Sequence, residues 1–254
     1  ATFFAHGCGC AYCRQTFYND TGYYLPVNEL SKDLNNPNSK LWKIWKEWQR
    51  NQIGSWKGEV RRRITPFRPD LSILGYTTHN AFTTRRVAMA YGAFLYDGAR
   101  SLDFIGSEIM TQNTIQNSRC LIPYRKMKNL FRLAYGCPIY GLVYAHWDWD
   151  NAYFGWAVNN MNGQMTWEIA RECPPGKSDY HAFATKNMDL KHAVPVSDIL
   201  LYFSIQSCYW DPVVDFRPEL FGTAQMLEAM HVPYQFIGDV NLTTEFLADY
   251  KVLF

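Results

Sequence analysis

Cys8, Cys10 and Cys13 stand in a Cys-x-Cys-x-x-Cys spacing. Three thiols so placed can converge on one tetrahedral Zn²⁺ when a tight turn aims the sulfurs inward, each at roughly 2.3 Å. A structural zinc needs four ligands. Cys120, Cys137, Cys173 and Cys208 each lack a second thiol within a few residues. The fourth ligand is therefore His6, a distant cysteine brought close by folding, or a residue beyond this sequence. Seven cysteines, an odd number with three clustered, argue against a disulfide framework in a chain of this size and favour a reducing, cytoplasmic setting.

A second set of residues could do acid-base chemistry. Glu108 ends an otherwise apolar run, Asp148 lies between Trp147 and Trp149, and Glu168 follows Trp167. A carboxylate half sunk among aromatic rings has its charged form disfavoured, which poises it as an acid. Asp148 beside two tryptophans suits hydrogen bonds to sugar hydroxyls next to stacking platforms. His79, Asn80, Tyr144, His146, Trp147 and Trp167 complete the candidate substrate contacts. Each has a plainer reading. Glu108 can serve a structural ion pair, Glu168 can pair with Arg171, Asp150 reads as the N-cap of the next helix, and a lone histidine near a strand end is often a hydrogen-bonded core residue.

The elements that would position these groups follow from periodicity. Short apolar runs alternate with longer amphipathic segments, the pattern of βα units and a parallel sheet. Strands are predicted at 1–5, 71–77, 102–109, 138–144 and 163–168, and helices near 41–64, 83–96, 121–135 and 151–162. Gly136 and Gly163 sit where helix C-caps belong. The polar candidates gather at the C-terminal ends of the predicted strands. In a (β/α)8 TIM barrel those ends ring the face where chemistry occurs, and no Gly-rich dinucleotide fingerprint follows any strand. The α/β reading is therefore the C-terminal part of such a barrel, over 1–175.

The breaker-rich Cys173-Pro174-Pro175-Gly176 marks a boundary, followed by a polar passage to Pro195. A second series follows over 195–254: strand 199–204, helix 219–230, strand 234–237, a short helix 243–248 and strand 251–254. It reads as the start of a three-layer α/β domain. The chain opens on apolar Thr2-Phe3-Phe4-Ala5 and closes on Lys251-Val252-Leu253-Phe254, and it is read as a piece of a longer protein.

Composition narrows the partners. A hydrophobic fraction of 48% is ample for a packed core. A net charge of +2 leaves no field that argues for nucleic acid, and Arg61-Arg62-Arg63 reads as a solvated helix face. No apolar stretch approaches the ~20 residues of a membrane span. The aromatic fraction of 17% suits core filling first and sugar stacking second. Trp42, Trp45 and Trp48 fall at helical spacing and read as core or interface.

Two stretches resemble one family. Cys8-x-Cys10-x-x-Cys13-x-x-x-Phe17, with Gly22, Pro26 and the Trp42, Trp45, Trp48 helix, resembles the segment after the fourth barrel strand of glycoside hydrolase family 42 β-galactosidases. Pro69-Asp70-x-x-Ile73 through Thr77-Thr78-x-Asn80 is similar to the fifth strand, and Asp103-Phe104-Ile105-Gly106-Ser107-Glu108 to the sixth. Tyr202-Phe203-Ser204 through Gly222, Leu227, Val232-Pro233 and Asp249-Tyr250-Lys251-Val252-Leu253 is similar to the β-galactosidase trimerisation domain, a flavodoxin-like or glutamine-amidotransferase-like module. The resemblance implies a structural zinc without an organic cofactor, a β-linked carbohydrate substrate and a homotrimer. It also marks a departure. The family's acid/base Glu falls before or at Ala1, and its seventh-strand nucleophile position reads Leu142-Val143-Tyr144-Ala145-His146, with no carboxylate. A carbohydrate-binding protein or a trimeric assembly module that has lost the nucleophile is the alternative.

Overall fold

Trp42, Trp45 and Trp48 recur at three-residue steps and so share one side of a helix. In the computed structural model, which describes residues 10–25, 38–77, 97–109, 122–143, 149–168, 179–193, 196–210 and 216–254, they do. The chain is mixed α/β with parallel sheets and divides into two compact units. One is Ala1–Leu71, Asn80–Ser101 and Ile205–Asp215. The other is Ser72–His79, Leu102–Ser204 and Phe216–Phe254.

The first unit is helical where it is described. Helix α1 spans Ala11–Thr21 and α2 spans Lys40–Ile64. Gly22 ends α1 at φ 74, a left-handed conformation a Cβ would oppose, and its N–H donates to the Tyr18 carbonyl. Ser39 caps α2 by accepting from the Trp42 N–H at 3.1 Å. Phe17, fully buried, joins the two helices by packing edge-on against the stacked rings of Trp45 and Trp48. The three arginines fall in the last turn of α2, where Arg62 and Arg63 are exposed and pair with Glu59, as expected of a solvated face. A 3₁₀ turn over Asp97–Ser101 packs on α2, and the Ser101 carbonyl accepts from Arg61 Nε at 2.8 Å.

Lys46 is only 3% exposed, and burial lowers its ammonium from 10.5 to about 8. Between about 8 and 10.5 the unfolded chain holds this proton and the folded chain does not, so stability rises with pH across that window. Below about 8 both the folded and the unfolded chain hold the proton, and the slope ends. Lys46→Met is expected to abolish the rise, read from urea melts at pH 7 and pH 10. A variant that gains as much stability between the two pH values as the parent does contradicts the assignment.

In the second unit β1 (Leu74–Thr77), β2 (Phe104–Ile109), β3 (Ile139–Val143) and β4 (Met165–Glu168) form one parallel sheet in the order β1-β2-β3-β4. Helical residues 122–127 and helix α3 (Leu130–Tyr135) lie between β2 and β3, and α4 (Trp149–Met161) lies between β3 and β4. Ile105, Met127, Leu130, Phe131, Ile139 and Val143 are the buried core. Gly136 ends α3 at φ 66 and Gly163 turns into β4 at φ 67, both where the sequence places a cap. At Gly141 the Asn159 amide approaches the bare backbone, donating to the Gly141 carbonyl at 3.3 Å and to Thr166 Oγ1 at 3.1 Å. A Cβ at Gly141 would collide with that amide.

The polar passage expected after the Pro-Pro-Gly breaker instead holds α5 (Asp179–Lys186) and a 3₁₀ turn over Met188–His192. Docking explains the helix: Tyr180 is buried, with its ring 5.1 Å from that of Trp156. Then β5 (Ile199–Tyr202), α6 (Arg217–Ala229), β6 (Tyr234–Ile237), α7 (Thr244–Leu247) and β7 (Val252–Leu253) follow, with the parallel strands ordered β6-β5-β7. A short helix, Ile205–Trp210, was not expected from the sequence. The strand predicted at 1–5 and the helix at 83–96 lie outside the described residues. Among the described residues no helix is long and apolar enough to cross a membrane.

Candidate functional site

Parallel strands end on one edge, and at that edge β2 places position 108 while β4 places Trp167 and position 168. Glu108 is level with Leu142, and Leu142 with Trp167. One residue further on, Ile109 is level with Val143, and Val143 with Glu168. Successive rows of a pleated sheet belong to opposite faces. Position 108 therefore shares its face with Phe104 and Tyr140, whose rings meet at 5.4 Å, and with Trp167, which is 47% exposed. This aromatic face is turned away from α4, whose Asn159 meets the row of Gly141 and Thr166.

Positions 108 and 168 both stand at the C-terminal ends of their strands, in adjacent rows with β3 between them. Two strand spacings put their backbones about 9–10 Å apart. A retaining pair needs its carboxyl groups about 5–5.5 Å apart. For Glu108 and Glu168 the described structure is the backbone. His79, Asn80, Tyr144, His146, Trp147 and Asp148 lie outside the described residues. The helix after β3 begins at Trp149, so Asp150 falls in its first turn rather than at the cap position expected from the sequence.

Cys10 is the extended N-cap of α1, with Cys13 in the first turn, three residues on and on the same side of the helix. Both thiols are free of disulfides, Cys10 exposed and Cys13 half-buried. A helix N-terminus stabilises thiolates, the form that binds zinc, so this pair has suitable chemistry for half of a zinc site. Cys8 lies outside the described residues, and among those described no three His, Cys, Asp or Glu side chains converge.

The second sheet carries polar pairs of its own. Tyr202 OH donates to Asp239 Oδ1 at 2.6 Å at the C-terminal ends of β5 and β6, and burial first, then this bond, raises its phenol. Tyr234 OH donates to Glu228 Oε1 at 2.6 Å. Burial raises both groups.

Sequence reasoning missed a cavity of about 250 Å³ at the opposite, N-terminal edge of β4, bordered by Lys126, Arg132, Asn160 and Gln235. The visible signal was Arg125-Lys126-Met127-Lys128 followed by Arg132, a helical run of cations with no acidic residue among them. Compared with protein-family models, curated proteins and solved structures, the chain matches none.

Proposed function

We propose that the chain is a glycoside hydrolase-like protein acting on a β-linked glycoside, with Glu108 as one catalytic carboxylate. Its fold is read as the later strands of a (β/α)8 barrel of the family 42 β-galactosidase kind, followed by the start of a flavodoxin-like module that trimerises the protein. The observation that carries this reading is the order β1-β2-β3-β4. Parallel strands added one after another in a single direction, with right-handed crossovers, leave every helix on one face, as a barrel requires. An open doubly wound sheet reverses direction at a switch point. The second sheet does reverse: its order β6-β5-β7 agrees with the 2-1-3 order of a flavodoxin-like fold and supports that part of the reading.

In this reading the aromatic face of the first sheet supplies the sugar platform, with Trp167 stacking on the ring and Glu108 reaching the scissile bond from the same row. The spacing of positions 108 and 168 favours Asp148, five residues after the last of β3 in the sequence, or a residue outside this sequence as the second carboxylate. Glu168 is then a sugar ligand. Release of nitrophenol from a panel of aryl β-glycosides is the test, with β-galactosides turned over fastest. A panel that yields no turnover, with no sugar bound, removes the carbohydrate reading altogether.

One observation favours a second reading. No carboxylate lies in β3, Ile139–Val143, the strand that would bear the family nucleophile. Sugar binding without turnover would make this a carbohydrate-binding protein or an assembly module on the same fold.

Zinc in this proposal is structural. Cys8, Cys10 and Cys13 would hold it at the N-terminal end of α1. Cys10→Ala is expected to lose the metal and to lower Tm by at least about 4 °C, read by metal analysis and thermal melting. Parent protein purified without zinc, together with an unchanged Tm in the variant, contradicts a structural zinc.

A further inference from the structure

We propose that the cavity at the N-terminal edge of β4 is a binding site for a small phosphorylated metabolite, separate from the glycoside site and independent of that reading. The cavity holds about 250 Å³. That is below the ~300–1,000 Å³ of pockets for drug-sized ligands, and suits a molecule no larger than a sugar phosphate.

Charge selects the ligand. Two cations, Lys126 and Arg132, line the cavity, and no carboxylate does among the described residues. A phosphate monoester carries about −1.5 to −2 charges at pH 7, which matches them. Lys126 is partly engaged already. Its ammonium stands 3.9 Å from the centre of the Tyr234 ring, and Glu228 acts on it as an opposite charge while burial lowers its pKa. Arg132 has no side-chain hydrogen bond or ion pair among the described residues, so its planar fork is available to a phosphate in the two-pronged manner guanidinium groups favour.

Two further cations flank Lys126 in the sequence. Arg125, on the same helical segment, is 2% exposed, and none of its three guanidinium nitrogens has a hydrogen-bond partner. Burial lowers it to about 9. Lys128 is 3% exposed, and its pKa is lowered by burial first and by Arg125 second. The run passes from helical residues 122–127 through the turn at Lys128 and Asn129 into α3, and an anion in the cavity favours the charged forms of Lys126 and Arg132. The remaining surface suits the body of such a ligand. Asn160 and Gln235 give it polar lining, with the Gln235 amide already donating to Tyr250 OH at 3.4 Å, and Leu190 and Phe236 give it apolar lining.

The test is thermal melting and calorimetry of the full chain with hexose 6-phosphate, inorganic phosphate and neutral hexose, at ionic strength matched by sodium chloride. Both phosphate compounds are expected to raise Tm by at least about 2 °C at saturation, and the neutral hexose to leave it unchanged. Tighter binding of hexose 6-phosphate shows that the whole cavity is used, and equal binding shows that the phosphate alone is recognised. Arg132→Gln is expected to weaken the phosphate compounds at least about tenfold. Its melting point without ligand should stay close to the parent's, because the side chain it removes supports nothing else. Unchanged affinity in Arg132→Gln, neutral hexose binding as well as its phosphate, or no response to either phosphate compound overturns the proposal.

Discussion

On the proposed function, Glu108→Gln is expected to lower kcat for an aryl β-galactoside by about 10²–10⁴-fold, the range for loss of a positioned acid or base, and to change KM much less. The amide keeps the size and most of the hydrogen-bonding capacity of the carboxyl group, so ground-state contacts to the sugar survive while proton transfer or nucleophilic attack does not. Position 108 is the last but one of β2, inside the ladder with β3 and level with Leu142. An isosteric change there leaves the backbone pairing intact, and circular dichroism should show an unaltered fold. A residue acting only through a structural ion pair would show the reverse: a lower melting point with kcat largely retained. Turnover unchanged in the variant excludes Glu108 from the reaction.

The largest loss of stability is expected from Phe17→Ala, about 3–5 kcal/mol. Phe17 is the fully buried residue of α1. Its ring meets Trp45 at 5.2 Å and Trp48 at 5.5 Å, both edge-on, and those two indoles stack on each other at 5.1 Å. Removing the ring empties the contact between α1 and α2, and stacked indoles held rigidly in a long helix cannot collapse to fill it. The bond from Trp48 Nε1 to Asp20 Oδ2, 2.7 Å and exposed, is too weak to hold the helices alone. Phe17→Leu, which keeps most of the volume, should cost much less. Urea denaturation of both variants decides. A loss below about 1 kcal/mol in Phe17→Ala would show that α1 is not held by this cluster. On the proposed structural zinc, the same variant should also hold the metal more weakly, because α1 carries Cys10 and Cys13.

The elements legible in the sequence are those whose signals are local. The apolar runs ending at Thr77, Ile109 and Glu168 are strands in the structure, and Gly136 and Gly163 adopt the left-handed turns their positions suggest. Helix α1 was not legible. Only Phe17 of its eleven residues is buried, so it has no apolar stripe, and it is held by a glycine cap and one docked ring. Helix α5 was hidden for a related reason. It follows two prolines and a glycine, and its anchor is the contact of Tyr180 with Trp156, which no local pattern reveals.

The site was legible only in part. The apolar runs place Glu108 next to the last residue of β2 and Glu168 at the end of β4, but only the register across β3 shows that Trp167, and not Glu168, shares the row of Glu108. Register is set by the length and packing of the crossovers and cannot be read from a single strand. The cavity between Arg132 and Gln235 draws its wall from segments more than a hundred residues apart. Its one local signal was a basic helix.

The central claim is that a sugar sits on the aromatic face at the C-terminal edge of the first sheet, within reach of Glu108. The most direct measurement is a crystal structure of Glu108→Gln with an aryl β-galactoside bound. The expected result is the galactose ring stacked on Trp167, with its glycosidic oxygen within hydrogen-bond distance of the residue 108 side chain. A galactoside bound on the α4 face or at the N-terminal edge, or crystals soaked to saturation that hold none, would contradict it.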